Sequence, residues 1–126
     1  MFADRKATVM IPVTDLARAK RWYEEKLGLK PTDDRGEMGA GYQLGGGTHA
    51  FMYPTQFAGT AKNTMLGFDS PDLAADMKAL RAKGVVFLDY DLPGLKTVDG
   101  IVEFDGLKNA WANDSEGNIL AFVQGM

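Results

Sequence analysis

The chain has 126 residues, 45% apolar and 25% charged, the balance of one compact domain with a single core, which excludes a disordered or fibrous chain. Fourteen basic against 17 acidic residues leave a net charge of -3, without the positive field that holds phosphate backbones or anionic lipid, so nucleic acid is not an expected partner. There is no cysteine and a single histidine, His49, which rules out disulfides, thiolate chemistry, Cys-ligated metal and a multi-histidine site within one chain.

Met1 to Lys6 runs into charges instead of an apolar leader, and no stretch approaches the roughly 20 apolar residues of a membrane span. A cytoplasmic protein with no membrane partner is the expectation. Ala7 to Val13 is β-branched and apolar and reads as a strand, handing over at Thr14 and Asp15, both good helix N-caps. Leu16, Ala19, Tyr23 and Leu27 then recur at helical spacing, with Gly28 as the stop and with Trp22 and Tyr23 expected in the core. Leu29 to Thr32, Tyr42 to Leu44 and His49 to Tyr53 read as short strands, the last two joined by a hairpin turn at Gly45-Gly46-Gly47. Those glycines are not a phosphate cradle, because a strand and not a helix follows them.

The programme then repeats. Thr64 to Phe68 is a strand, Ser70 a cap, Pro71 the first helical residue, and Leu73, Met77 and Leu80 the apolar stripe ended by Gly84. Val85 to Tyr90, Ile101 to Phe104, Ala110 to Ala112 and Asn118 to Val123 read as strands, the last after a turn at Asp114-Ser115-Glu116-Gly117. Asp89 and Asp91 invite a calcium loop, but Gly100 stands where its bidentate glutamate belongs, so the acidic run reads as solvated loop and strand edge. A period of half the chain points to duplicated βαβββ modules, one over about residues 5–57 and one over about 62–124, in a single domain spanning 1–126.

Val13-Thr14-Asp15-Leu16-Ala17-Arg18-Ala19, leading to Trp22-Tyr23 and Leu27-Gly28-Leu29, together with Asp114-Ser115-Glu116-Gly117-Asn118 before the last strand, resembles the vicinal oxygen chelate superfamily of glyoxalases, dioxygenases and bleomycin-resistance proteins. The resemblance covers roughly Ala7 to Gln124. It implies an α+β fold in which the two modules form a curved mixed sheet around a cavity that takes a small ligand, and metal-using members place chelating side chains there. Carried onto this chain, those positions fall on Thr8, Phe51, Asn63 and Ala121; Gly47 to Phe51 lies over Gly117 to Ala121 under the internal repeat. A hydroxyl, a phenyl ring, an amide and a methyl group are poor company for a divalent ion, and a slip of one residue brings in only Ala7, Val9, Ala50, Met52, Lys62, Thr64, Leu120 and Phe122. The expectation is a member without metal or other cofactor.

His49 shares strand parity with Phe51 and is a candidate base or ligand contact, against the plainer reading of a surface histidine. Thr8 and Asn63, if inward-facing, need a partner that a ligand would supply. Tyr42, Phe51, Met52 and Trp111 are candidates for an aromatic wall, with ordinary core packing as the competing reading. Three functions follow: sequestration of a hydrophobic or aromatic metabolite or antibiotic; a metal-independent lyase, isomerase or other enzyme using His49 or Glu103 for proton transfer; or a subunit that serves assembly. A monomer is feasible, with a homodimer as the alternative that the family's habit of pairing or swapping modules suggests.

Overall fold

A computed structural model covering residues 1–126 builds the first module from β1 (Thr8–Val13), α1 (Leu16–Leu27), β2 (Asp33–Asp34), β3 (Ala40–Gln43) and β4 (His49–Pro54). The second runs through β5 (Thr64–Asp69), α2 (Leu73–Ala82), a hairpin of β6 (Asp91–Leu92) and β7 (Leu95–Lys96), then β8 (Val102–Phe104), β9 (Leu107–Asn113) and β10 (Ile119–Gln124). The strand orders β1-β4-β3-β2 and β5-β10-β9-β8 are the same order used twice. In each, the first strand runs parallel to the last and the others are antiparallel. The duplication is therefore structural, and the strands form two mixed four-stranded sheets.

Each helix begins and ends as its residues require. The Asp15 side chain accepts the Arg18 N–H at 3.0 Å, and Gly28 closes α1 in the left-handed region that glycine reaches without strain. Helix α2 is capped by Asp72 and not by Ser70: the Asp72 side chain accepts the Ala75 N–H at 3.1 Å. Ser70 donates its hydroxyl to Asp76, and the Leu73 N–H goes to Gln124 Oε1 at 2.7 Å, so Pro71 stands outside the helix.

Two expected strands change. Leu29 to Thr32 does not pair, and the second strand is the two-residue β2 just beyond it. Val85 to Tyr90 keeps alternating burial but joins the sheet only through a bridge from Phe87 to Ala112 and a hydrogen bond from Leu88 N to Trp111 O. Local turn chemistry competes for the rest: the Thr97 hydroxyl accepts the Tyr90 N–H at 2.9 Å and donates to Asp89 at 3.1 Å, closing the β6–β7 hairpin around Pro93-Gly94.

Alternation along the strands gives each sheet a helix face and an open face. Ile11, Val13, Ala40, Tyr42, Ala50 and Met52 are buried on the helix face of sheet one with Ala19 and Tyr23 of α1. Leu66, Ala110, Ala112, Leu120 and Phe122 do the same on sheet two with Leu73 and Met77 of α2, and all belong to one continuous core.

The modules are joined by the β9–β10 turn. Glu116 places its carboxylate at the N-terminus of α1, where Oε1 accepts the N–H groups of Thr14 at 3.0 Å and Asp15 at 2.8 Å, and Oε2 accepts Arg18 Nε at 2.9 Å. Tyr23 donates its hydroxyl to Asp114 at 2.6 Å, and burial followed by that carboxylate holds the phenol protonated far above its ordinary range. Asn118 donates to Pro12 O at 2.8 Å and accepts the Gly59 N–H at 3.1 Å. The intermodule segment passes so close here that a Cβ on Gly59 would stand 2.3 Å from Glu116 O.

Burial alone would raise the Glu116 pKa, but Arg18, the Asp15 N–H, Ser115 and Thr14 together outweigh it and hold the carboxyl down at about 2 against an ordinary 4.5. A carboxyl depressed on folding stabilises the native state above its unfolded pKa and loses that stabilisation as pH falls toward the folded one. Urea denaturation of the wild type should show stability declining from about pH 4.5 downward. Glu116→Gln, which leaves donors short of a charged acceptor, should cost about 2 kcal/mol at pH 7 and flatten that decline.

Candidate functional site

The open face of sheet two is built around Trp111. The residue lies on β9 opposite Ala121 of β10, which stands opposite Gly67 of β5. The Trp111 indole reaches across β10 and donates its N–H to Thr64 Oγ1 on β5 at 3.2 Å. Its path explains the small side chain at Ala121, because anything longer would meet the ring. The Tyr90 ring, 5.4 Å away and nearly perpendicular, supports the indole edge to face.

A β-bulge makes this bond available. Ile119 pairs with Thr64 but Leu120 pairs with Leu66, so Met65 is the extra residue and Thr64 keeps its place on the open face. Asn63 precedes the strand, exposed, with its amide donating to Thr64 O at 3.1 Å. Beside it a cavity of about 280 Å3 opens at the seam between the modules, lined by Pro12, Phe57, Asn63, Thr64, Met65 and Ile119 among others. Asn109, two residues from Trp111 along β9, holds a buried Oδ1 with no hydrogen-bond partner.

The open face of sheet one carries Thr8 beside His49 across the parallel β1–β4 pair, with Phe51 two residues farther along. The Phe51 ring lies against Gly39, where an added Cβ would stand 2.9 Å from it. The structure thus groups Thr8, His49 and Phe51 on one sheet and Asn63, Trp111 and Ala121 on the other. Tyr42 departs from the wall expected of it: it is buried on the helix face, its hydroxyl 3.9 Å from Met52 Sδ, and burial pushes its phenol up to about 12. Met52 shares that buried face. Glu103 sits exposed on β8 opposite Lys108, on the opposite parity from Val102, Asn109 and Trp111, and so points away from the indole.

Thr64 and Tyr90 were not legible as site residues. The bulge breaks the two-residue count that would have put Thr64 beside Trp111, and Tyr90 reaches the indole through a turn with no periodic signal.

The donor set does not fit a divalent ion. Ala121 and Phe51 offer nothing, Asn63 has only a neutral amide oxygen, its nitrogen donating to Thr64 O, and Thr8 brings a neutral hydroxyl. Nowhere do three or more His, Cys, Asp or Glu side chains gather at metal-binding distance.

Two βαβββ modules, each a mixed four-stranded sheet with a helix on one face, define a glyoxalase-like fold. A sequence profile described as the Glyoxalase/Bleomycin resistance protein/Dioxygenase superfamily matches residues 6–120, and the chain belongs to that superfamily. Among solved structures it is similar to a glyoxalase/bleomycin resistance protein from Catenulispora acidiphila DSM 44928, with TM-score 0.70 and 21% identity over 96% of this chain and 98% of that chain. It is similar to TnmS3, an antibiotic binding protein from Streptomyces sp. CB03234, with TM-score 0.71 and 23% identity over 98% of each chain. A glyoxalase/bleomycin resistance protein/dioxygenase from Alicyclobacillus acidocaldarius gives TM-score 0.70 and 17% identity over 96% of this chain and 91% of that chain. No curated protein matches the chain.

If Ala121 is the floor beneath the indole, Ala121→Leu should displace it. The expected outcome is a red-shifted Trp111 emission, read against a Trp111→Phe control that leaves Trp22, and destabilisation of about 1–3 kcal/mol from overpacking.

Proposed function

We propose that this protein binds and sequesters a small hydrophobic or aromatic molecule, a metabolite or an antibiotic, on the open face of sheet two, without a metal and without a chemical step. The observation that carries the reading is Trp111, half-buried, laid across β10 and fixed by Thr64 and Tyr90. An aromatic surface held in place before the ligand arrives loses little side-chain freedom on binding. Ala121 forms the floor of this site and Asn63 its rim at the seam cavity. Thr8, His49 and Phe51 form the matching face of sheet one. The antibiotic binding described for TnmS3, a protein of the same fold, supports this choice of ligand class.

A homodimer fits the same reading. Met10, on the open face of the edge strand β1, is 51% exposed, an apolar side chain that a second copy would cover. Sedimentation velocity at micromolar concentration should return the mass of two chains; a single-chain mass overturns the pairing.

Proton transfer by Glu103 or His49 draws no support from the geometry. Glu103 faces away from Trp111, and no carboxylate is hydrogen-bonded to His49 to orient it as a base.

Titration of a broad panel of aromatic metabolites and antibiotics, followed by Trp111 fluorescence, tests the proposal. Saturable quenching by at least one compound is expected, weakened tenfold or more in Trp111→Ala by calorimetry and changed less than twofold in His49→Ala. No saturable binding to any compound, or turnover of a bound one that His49→Ala abolishes, overturns it.

A further inference from the structure

The chain contains two Asp-Gly pairs, Asp99-Gly100 and Asp105-Gly106. Their aspartates are also the two non-glycine residues with a positive φ, at 53° and 52°, and the glycines continue in the same region at 81° and 83°. Each pair is therefore the two-residue turn that suits the twist of a hairpin. Val98 and Ile101 close the first by exchanging backbone hydrogen bonds at 2.9 and 3.0 Å, and the paired residues Phe104 and Leu107 flank the second, between β8 and β9. One dipeptide in one backbone conformation thus occurs in two surroundings.

An aspartate followed by glycine can react with its own main chain, because a residue without a Cβ leaves its backbone nitrogen open to the neighbouring carboxyl. That nitrogen bonds to the carboxyl carbon, closing a five-membered succinimide, and a carboxyl oxygen leaves as water. Water then opens the ring at one carbonyl or the other. One opening restores aspartate, and the other gives isoaspartate, in which the main chain runs through the side-chain carbon. One water is lost and one regained, with no oxidant, reductant or enzyme.

The surroundings decide which turn can open far enough to react. Asp99 is held through its carbonyl, which accepts Arg81 Nη2 at 2.9 Å, and the same guanidinium lies over the Phe87 ring. Gly100 is buried against α2: a Cβ there would stand 3.2 Å from both Arg81 Nη2 and Met77 Cε and 3.3 Å from Phe87 Cβ. Asp105 and Gly106 are both exposed. No hydrogen bond engages the Asp105 carboxylate or the Gly106 N–H, and a Cβ on Gly106 would meet nothing within 4 Å. The C-terminal tail passes on the carbonyl side of Gly106, where a Cβ on Gly125 would stand 2.8 Å from Gly106 O, and leaves the nitrogen open. β8 is moreover an edge strand paired only with β9, so this hairpin tip opens without parting the rest of the sheet.

We propose that Asp105 is a modification site, converting to isoaspartate through a succinimide formed with Gly106, while Asp99, in the same dipeptide and turn, is protected by its packing on α2. The product adds one carbon to the main chain of a turn whose length sets the register of its hairpin. The pairing of Glu103 with Lys108 and of Val102 with Asn109 is what it disturbs.

Wild type, Asp105→Asn and Asp105→Glu are incubated at neutral pH for several weeks, with a parallel wild-type sample in concentrated urea. Trypsin releases Thr97 to Lys108 with both pairs on one peptide, and electron-transfer fragmentation distinguishes aspartate from isoaspartate at each. In the folded wild type, isoaspartate should accumulate at position 105 at least tenfold faster than at 99. Asp105→Asn should form it at least fivefold faster still, losing ammonia in place of water, and Asp105→Glu, whose ring would need six members, should form none. In urea the two positions should react at similar rates. No isoaspartate at 105, equal amounts at 99 in the folded protein, or an Asp105→Asn rate no higher than the wild type's overturns the proposal. A preference for 105 that persists undiminished in urea also overturns it, because the difference would then belong to the flanking sequence and not to the fold.

Discussion

The carboxylate of Glu116, supplied by the second module, completes the N-terminus of the first module's helix. A helix leaves its first N–H groups without partners, and a negative charge set there is favoured by the aligned peptide dipoles. Glu116 meets both needs for α1 and holds Arg18 in the same contact. Asp114 and Asn118 from the same turn take Tyr23, Pro12 and Gly59. Three residues of one turn thus tie helix, first strand and intermodule segment of module one to module two. The seam cavity, bordered by Pro12 on one side and Ile119 on the other, keeps its shape only while that tie holds.

With the modules fixed, each sheet surrenders one face to a helix, and the two-residue period of a strand decides which side chains remain for a ligand. Most strands, the helix α1 and the duplicated order were readable because alternation, caps and glycine stops are local signals. So was the shared face of His49 and Phe51, both at odd steps along β4. Which face each strand turns toward its helix was not local. Tyr42 and Met52 look as suited to a ligand wall as Phe51 does, and only packing against α1 assigns them to the core. The bulge at Met65 and the hairpin within Asp89 to Thr97 were hidden for a related reason, since each shifts a count that pattern reading takes as constant.

The polar residues that stand out in the sequence serve structure more than chemistry. Ser70, Asp72 and Gln124 satisfy the start of α2, and the Asp114 to Asn118 turn satisfies α1 and the seam. A buried carboxylate with several donors is stable as an ion and poorly placed to exchange a proton near neutral pH, which is why the lowered pKa of Glu116 marks a structural contact instead of a catalytic group. What is left on the open faces is Thr8, His49 and Phe51 on one sheet and Thr64, Trp111 and Ala121 on the other.

The methyl group at Ala121 and the lie of the Trp111 indole are one feature seen from two strands. A carboxylate at position 121 would be trapped beneath the ring, shielded from water and facing Gly67 and the indole with no cation in reach, an arrangement whose desolvation cost nothing nearby offsets. Conversely, an indole that must cross β10 to reach Thr64 requires a side chain at 121 short enough to pass over. Chelation and an aromatic platform therefore exclude one another at this point of the sheet.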